Sequence, residues 1–375
     1  MAKTSVTAVI CGRPALVAEM TYLYDLNLTE LGQALSQIDA KSFRATQIFT
    51  ALHQGTAVSA ISNISKDLRA WLQASFVCDL PQIVEEKQSK DGTKKYLLAF
   101  KGQNGVDLVE CVLLTQDYGN TICVSTQVGC RMGCKFCASG KNGLVRNLTA
   151  GEILSQVILV NKLNTHDKVR GVTNIVLMGS GEPLDNYDHV MKFLELVTCS
   201  EGINISARNI SLSTSGLVPM IKKFADAGNQ VNLCISLHAP NDDLRRQIMP
   251  IARKYSVAEL VAAAKYFFTK THRRVIFEYS LMLKNGVPFN CAVAQAKELA
   301  DLVRGFPAHI NLINLNPLHF EQGAELTPPS REVAMKFMDA VIKSGVSCTM
   351  RKNKGDDIDG ACGQLRLKYA VEHKM

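Results

Sequence analysis

Three cysteines crowd the stretch STQVGCRMGCKFCASGKNG: Cys130, Cys134 and Cys137, with three residues in the first gap and two in the second. Grouped thiolates hold zinc or iron–sulfur clusters. A closed site takes four protein ligands, and no fourth cysteine lies nearby. Three thiolates can hold three irons of a [4Fe–4S] cube and leave the fourth iron open to bind and activate a small molecule. Zinc is the competing reading. It needs a fourth ligand or a catalytic water, and His166, the nearest later histidine, lies beyond a helical segment. Phe136, between the last two cysteines, would shield a cluster from water or simply pack the loop.

Other reactive or polar residues stand at recurrent places. MGSGEP (178–183) contains Gly181 and Glu182; its glycines let backbone approach a ligand closely. STSG contains Ser213, SLH is Ser236, Leu237 and His238, and NLNP contains Asn316. Singly, each is an ordinary packing residue. Two further cysteines stand out. Cys123 lies seven residues before Cys130, where a buried strand thiol is the plain alternative. Cys362 lies between Gly360 and Gly363, where Lys352 and Lys354 could favour a thiolate; a neutral thiol in a turn is the plain alternative.

The elements that must position these residues are legible as periodicity. Residues 1–80 are expected to form a helical module, from NLTELGQALSQI, RATQIFTALHQ and SKDLRAWLQASF. Residues 81–120 read as a small β extension, with turns at KDGTKK and KGQNGVD. From 121 to 345, six strands alternate with helices: 121–126, 174–179, 209–215, 232–237, 275–282 and 310–316. Such alternation implies parallel βαβ units, too few for an eight-fold barrel. The expected fold is α/β, a partial (β/α)6 barrel, with a doubly wound sheet as the alternative. Residues 346–375 add one more strand, VSCTMR, and the loop with Cys362. Every polar cluster follows a strand, so all are expected on the rim at the strands' C-terminal ends, where barrels place active sites.

Bulk properties set limits. The 375 residues are 47% hydrophobic and 20% charged, enough for a sizeable core. The net charge is +8, with eight Lys/Arg against three Asp/Glu in residues 251–300. That balance suits a solvated basic surface or a polyanionic partner such as nucleic acid. No run of about twenty apolar residues exists, so no membrane span is expected. The N-terminus has no adequate signal peptide, because Gly12, Arg13 and Pro14 break its apolar run. The chain is expected in the cytoplasm, where its twelve cysteines stay reduced.

The Cys-x3-Cys-x2-Cys spacing, with an aromatic before the last cysteine, resembles the radical S-adenosylmethionine (SAM) superfamily. With LYDLNLTELGQAL, STQVGC, NLTAGEI, LSTSGLVP, ISLHAPND and DIDGACGQL, nearly the whole chain resembles the RlmN/Cfr family of radical SAM RNA methyltransferases. The resemblance implies a radical SAM barrel with an RNA-binding accessory domain, a [4Fe–4S] cluster on Cys130, Cys134 and Cys137, and SAM held by Gly181, Glu182, Ser213, Ser236, Leu237, His238 and Asn316. Glu182 would accept from the SAM amino group. The implied substrates are 23S rRNA and tRNA, methylated at adenine C2. Methylation of C8 by the sister type, and a zinc-containing RNA-binding protein without catalysis, are the alternatives. RKNKGDDIDGACGQL is closer to the C2 type.

Adenine C2 is an electron-poor carbon with no lone pair, so it cannot attack the SAM methyl group directly. In the implied route Cys362 first takes a methyl group from SAM as a thiolate. A radical made from a second SAM removes one hydrogen from that methyl, and the resulting carbon radical adds to C2. Glu110 takes the C2 proton, where the plain alternative is a surface carboxylate. Cys123 then attacks Cys362, releases the RNA and leaves a disulfide for an external reductant. A flavodoxin- or ferredoxin-like donor supplies the electron, and a monomer is expected. The chain departs from the family at Ser180 (commonly Met), at Asn314 (often Pro) and in LKNGVPFNCAVAQA, which lacks the usual Asn-Asp. Cys111, beside Glu110, has no assigned role.

Overall fold

The computed structural model describes residues 20–102, 105–167, 169–315, 325–358, 365, 366 and 369. The N-terminal segment forms α1 (Leu28–Ser36), α2 (Phe43–His53) and α3 (Lys66–Ser75). Asn27 caps α1 in a reciprocal box with Glu30, and Ser65 caps α3.

Strands β1 (Gln82–Gln88), β2 (Lys94–Gly102) and β3 (Gly105–Gln116) run antiparallel, and β3 pairs antiparallel with β4 (Gly119–Cys123). After β4, the hairpin of β5 (Gln127–Gly129) and β6 (Leu144–Asn147) brackets the cysteine loop. Then come α4 (Ala150–Asn164), β7 (Asn174–Leu177), α5 (Tyr187–Thr198), β8 (Ile210–Thr214), α6 (Val218–Asp226) and β9 (Asn232–Ser236). They are followed by α7 (Asp242–Ile248), α8 (Val257–Thr271), β10 (Val275–Leu281) and the short β11 (Leu283–Lys284) and β12 (Val287–Pro288). The chain continues through α9 (Val293–Leu302), β13 (Ala308–Asn314), the short β14 (Leu326–Thr327), α10 (Arg331–Lys343) and β15 (Ser347–Met350).

Ten strands make one sheet in the order β1-β2-β3-β4-β7-β8-β9-β10-β13-β15. From β4 onward every neighbour is parallel. A doubly wound sheet reverses its strand order at a switch point; this order never reverses, so the sheet is a partial barrel of six βα units plus β15. The β extension expected before the barrel is continuous with that sheet, and β15 is its far edge.

Alternation sets the two faces. Along β8, Ile210 and Leu212 are buried in the core under the helices, whereas Ser211 and Ser213 project to the other face. Helix α4 is buried on nearly every side because it lies between the sheet and the N-terminal module. NLTAGEI explains how. Thr149 and Glu152 form a reciprocal cap, and Gly151 N donates to Asp25 Oδ1 at 2.6 Å. A Cβ on Gly151 would lie 2.6 Å from the Asp25 nitrogen. Only glycine permits that approach. Lys192 to Glu30, Asn27 to Glu195 and Lys162 to the Gly55 carbonyl complete the docking.

Candidate active site

The cysteine loop is pinned at both ends. Cys130 N donates to the Gly143 carbonyl at 2.9 Å, and Lys135 N donates to the Ile248 carbonyl at the end of α7 at 3.0 Å. Cys134 and Phe136 pack with Ile248, Met249, Met282 and Phe289, and the Phe136 ring meets the His238 ring edge-on at 4.8 Å. Burial raises the thiols of Cys130, to about 12, and of Cys134, and Cys137 raises each of them further. These two thiols are poor anions by themselves and gain strongly from a cation that binds the deprotonated form. Among the described residues, no three His, Cys, Asp or Glu side chains are gathered as ligands of one ion. A cube spreads its three thiolates over three irons, which a single zinc ion does not.

The loop after β7 faces the cysteines. Gly181 has φ +108°, and a Cβ there would lie 2.7 Å from Gln127 Cβ and 2.8 Å from Thr126 Oγ1. Glu182 is 3% exposed, and burial raises its carboxyl against the hydrogen bonds it accepts. Its Oε2 accepts from Ser215 N at 2.6 Å and its Oε1 from Leu184 N at 3.1 Å. A buried carboxylate with only neutral donors is suited to an ammonium group. Ser180, the departure in this loop, hydrogen-bonds through its Oγ to Ser139 Oγ at 3.3 Å and so ties the loop to the cysteine segment.

The remaining rim follows strand by strand. Ser213 is half-buried in β8, and Ser236 ends β9. Leu237 is fully buried, and its N–H donates to the Glu278 carbonyl at 3.0 Å. His238 takes φ +56°, and its Nδ1 accepts from Ser280 N at 2.9 Å. Burial depresses its pKa to about 3, so the ring is neutral and carries its proton on Nε2. Asn290, in the stretch without the usual Asn-Asp, is fully buried and donates to the carbonyls of His238 and Ser280, while its Oδ1 accepts from Met282 N. That one amide fixes the end of β10 against His238. Thr126 Oγ1, Arg245 Nη1 and Asn314 Oδ1 are buried without a hydrogen-bonding partner among the described residues. Unsatisfied polar atoms of this kind, on a rim with a cradle that a Cβ would fill, suit a polar ligand such as SAM. Asn316 lies outside the described residues.

Glu110 and Cys123 come together on the inner face of the sheet. Cys123 ends β4 opposite Val112, and Glu110 lies two residues along β3, a diagonal neighbour. Glu110 is not a surface carboxylate: it is 3% exposed, and its Oε2 lies 3.1 Å from Nζ of Lys95, which is fully buried. Cys111 points to the opposite face, into the core. Cys362 lies outside the described residues, but both flanks are anchored on this same edge. Asp357 accepts from Ser89 Oγ and Lys90 N, Gly355 N donates to Asp91, Arg366 N donates to Glu110, and Leu365 packs on Leu97 and Leu108.

Sequence reasoning missed Lys95, Arg245 and Asn290. Lys95 sits in KKYLLAF, whose alternation with Leu97 was the available sign that it points inward. Arg245 sits in NDDLRRQI, which reads as a charged surface turn. Only tertiary structure buries it.

The family model described as the radical SAM superfamily matches residues 124–287, and that of the ribosomal RNA large subunit methyltransferase N-terminal domain matches 21–78. A probable dual-specificity RNA methyltransferase RlmN of Clostridium perfringens (strain 13 / Type A) is 46% identical over 353 residues, 93% of this chain and 98% of that protein. The protein of the same description from Bacillus subtilis (strain 168) is 43% identical over 358 residues, 95% of this chain and 96% of its own. The crystal structure of a radical SAM methyltransferase from Sphaerobacter thermophilus superposes with a TM-score of 0.85 at 41% identity, covering 92% of this chain and 98% of that one.

Proposed function

Because the chain belongs to the RlmN family of radical SAM RNA methyltransferases, we propose that it methylates C2 of adenine in 23S rRNA and in tRNA. The observation that carries this reading is the meeting of two sites on one sheet. The cysteine loop and Glu182 stand at the C-terminal strand ends, and Glu110 and Cys123 lie on the paired strands β3 and β4, beside the strands that hold both flanks of the Cys362 loop.

When bound, a [4Fe–4S] cluster supplies the electron that splits SAM and yields a 5′-deoxyadenosyl radical. Cys130, Cys134 and Cys137 would hold the cluster. Glu182 would take the ammonium of SAM, Gly181 leaves room for it, and Ser213, Ser236, Leu237, His238 and Asn316 would line the rest. Cys362 accepts the methyl group. Glu110 receives the C2 proton, and Lys95 fixes its carboxylate 3.1 Å away. Cys123 attacks Cys362 to release the product. The chain works in the cytoplasm as a monomer, with a flavodoxin- or ferredoxin-like donor and a thiol reductant; no helix among the described residues is long and apolar enough to cross a membrane.

Reaction with SAM bearing a fully deuterated methyl group tests the route. One hydrogen is removed from the methyl on Cys362, so the product methyl should keep two deuteriums. Retention of all three would mean direct transfer and contradict the proposal.

A further inference from the structure

Ser125 opens the stretch STQ that leads into the cysteine loop, and it has no part in the roles assigned above. It is fully buried in the passage from β4 to β5, two residues past Cys123. Its hydroxyl has two backbone partners, and their chemistry fixes the direction of each bond. A carbonyl only accepts, and an amide N–H only donates. Ser125 Oγ therefore donates to the Glu110 carbonyl at 2.6 Å and accepts from Ser180 N at 3.1 Å. In the sheet, β4 separates β3 from β7. The hydroxyl bridges β3 to the loop that follows β7.

The bridge is rigid on both sides. The Ser180 carbonyl accepts from the N–H groups of Thr126 and Gln127 at 2.9 and 3.2 Å, and Gln127 Oε1 accepts from Glu182 N at 2.8 Å. A Cβ on Gly179 would lie 2.5 Å from the Val124 carbonyl oxygen, so the two backbones run in contact. Gln156 of α4, also fully buried, holds Ser125 from behind. Its Oε1 accepts from Ser125 N at 3.0 Å, and its Nε2 donates to the Ser125 carbonyl at 2.9 Å.

We propose that Ser125 sets the distance between the methyl-accepting half of the site and the SAM half. From the Cys362 loop inward, Arg366 N donates to the Glu110 carboxylate, the Glu110 carbonyl accepts from Ser125, and Ser125 accepts from the Ser180 amide, two residues before Glu182. The inference rests on the roles proposed above for Cys362, Glu110 and Glu182. The hydrogen removed from the Cys362 methyl leaves in 5′-deoxyadenosine, so that methyl has to meet the split SAM closely. A displacement of about 1 Å can cost on the order of a hundredfold in such a step. Ser125 touches none of the reacting atoms; it is a positioning residue. Without its hydroxyl, Thr126 and Gln127 still hold the SAM loop. SAM is then bound and split, but the methyl is missed more often, and 5′-deoxyadenosine takes its hydrogen from a C–H bond of protein or buffer instead.

Two readouts on the cluster-loaded full chain test this. Without SAM, hydrogen–deuterium exchange of the Ser180 amide should be about tenfold faster or more in Ser125→Ala than in the parent. With SAM, reductant and RNA, the 5′-deoxyadenosine formed per methyl group delivered should rise about fivefold or more, while the Kd for SAM stays within about threefold. Ile175→Val, a change in the core face of β7 away from the site, should leave that ratio at its parental value. An unchanged ratio or an unchanged Ser180 exchange rate in iron-loaded Ser125→Ala overturns the proposal. So does an equal rise in Ile175→Val, which would make the effect one of loosened packing. A Kd for SAM weakened tenfold with the ratio unchanged would assign Ser125 to the SAM loop alone and overturns it too. If Ser125→Ala retains no iron, Ser125→Cys, which keeps the shape with a weaker donor, decides by the same two criteria. Absence of methylated RNA from the parent would remove the reading beneath the proposal, whereas the exchange rates, measured without ligand, report on the bridge itself.

Discussion

At the scale of single residues, the site works through burial. Glu182 is a carboxyl whose ionisation burial opposes, with backbone donors that hold it in place. Glu182→Gln keeps the shape and removes the charge, so SAM affinity should fall by about 1.5–3 kcal/mol, roughly 10- to 150-fold. Calorimetric titration on cluster-loaded protein measures it, and unchanged binding would remove Glu182 from the SAM contacts. The roles proposed for Cys123 and Cys362 are separable. Cys362→Ala should retain the cluster and lose methyl transfer entirely. Cys123→Ala should accumulate an RNA–protein adduct on denaturing gels, because nothing resolves it; free methylated RNA at parental yield would contradict that role. The buried Lys95–Glu110 pair implies that Lys95→Met, which removes the ammonium 3.1 Å from a buried carboxylate, costs about 3–5 kcal/mol. Chemical denaturation would show it.

At the scale of elements, the helical module is held to the barrel by close approach rather than by area alone. Gly151→Ala places a methyl group 2.6 Å from the Asp25 nitrogen and should cost about 1–3 kcal/mol and weaken RNA binding, with iron content unchanged. His53 reports the same interface. It stacks on Phe49, and its Nδ1 accepts from Ile203 N; burial depresses its pKa from 6.5 to about 4. The neutral ring is the docked form, so its contribution is full above pH 6.5 and is lost as pH falls toward 4. The loss is on the order of 3 kcal/mol. A His53→Gln variant should show a flatter decline in stability over that window; a parallel decline would absolve His53. All six barrel strands were legible from short apolar runs bounded by turns, and the capped helices from Ser, Thr or Asn at their starts. Helix α7 and the β5–β6 hairpin were not: seven polar-rich residues and a three-residue strand carry too little periodicity to read.

At the scale of the whole molecule, one continuous sheet joins the cluster rim to the β3–β4 pair where Glu110 and Cys123 meet. The sequence suggested an extension beside a barrel; hydrogen bonding from β3 to β4 merges them, a long-range pairing that local pattern does not contain. The cysteine triad stood out in the sequence because chemistry restricts residue type and spacing there. The burial of Glu110, Lys95 and Arg245 did not, because a charged residue inside looks the same in sequence as one outside. The net charge of +8 suits a polyanionic substrate, and RNA affinity should fall linearly on a log–log scale as salt rises. The most direct measurement of the central claim is mass spectrometry of nucleosides from 23S rRNA and tRNA fragments incubated with the reconstituted protein, SAM and reductant. The account predicts 2-methyladenosine from both RNAs; 8-methyladenosine, or no methylated adenosine from cluster-loaded protein, would contradict it.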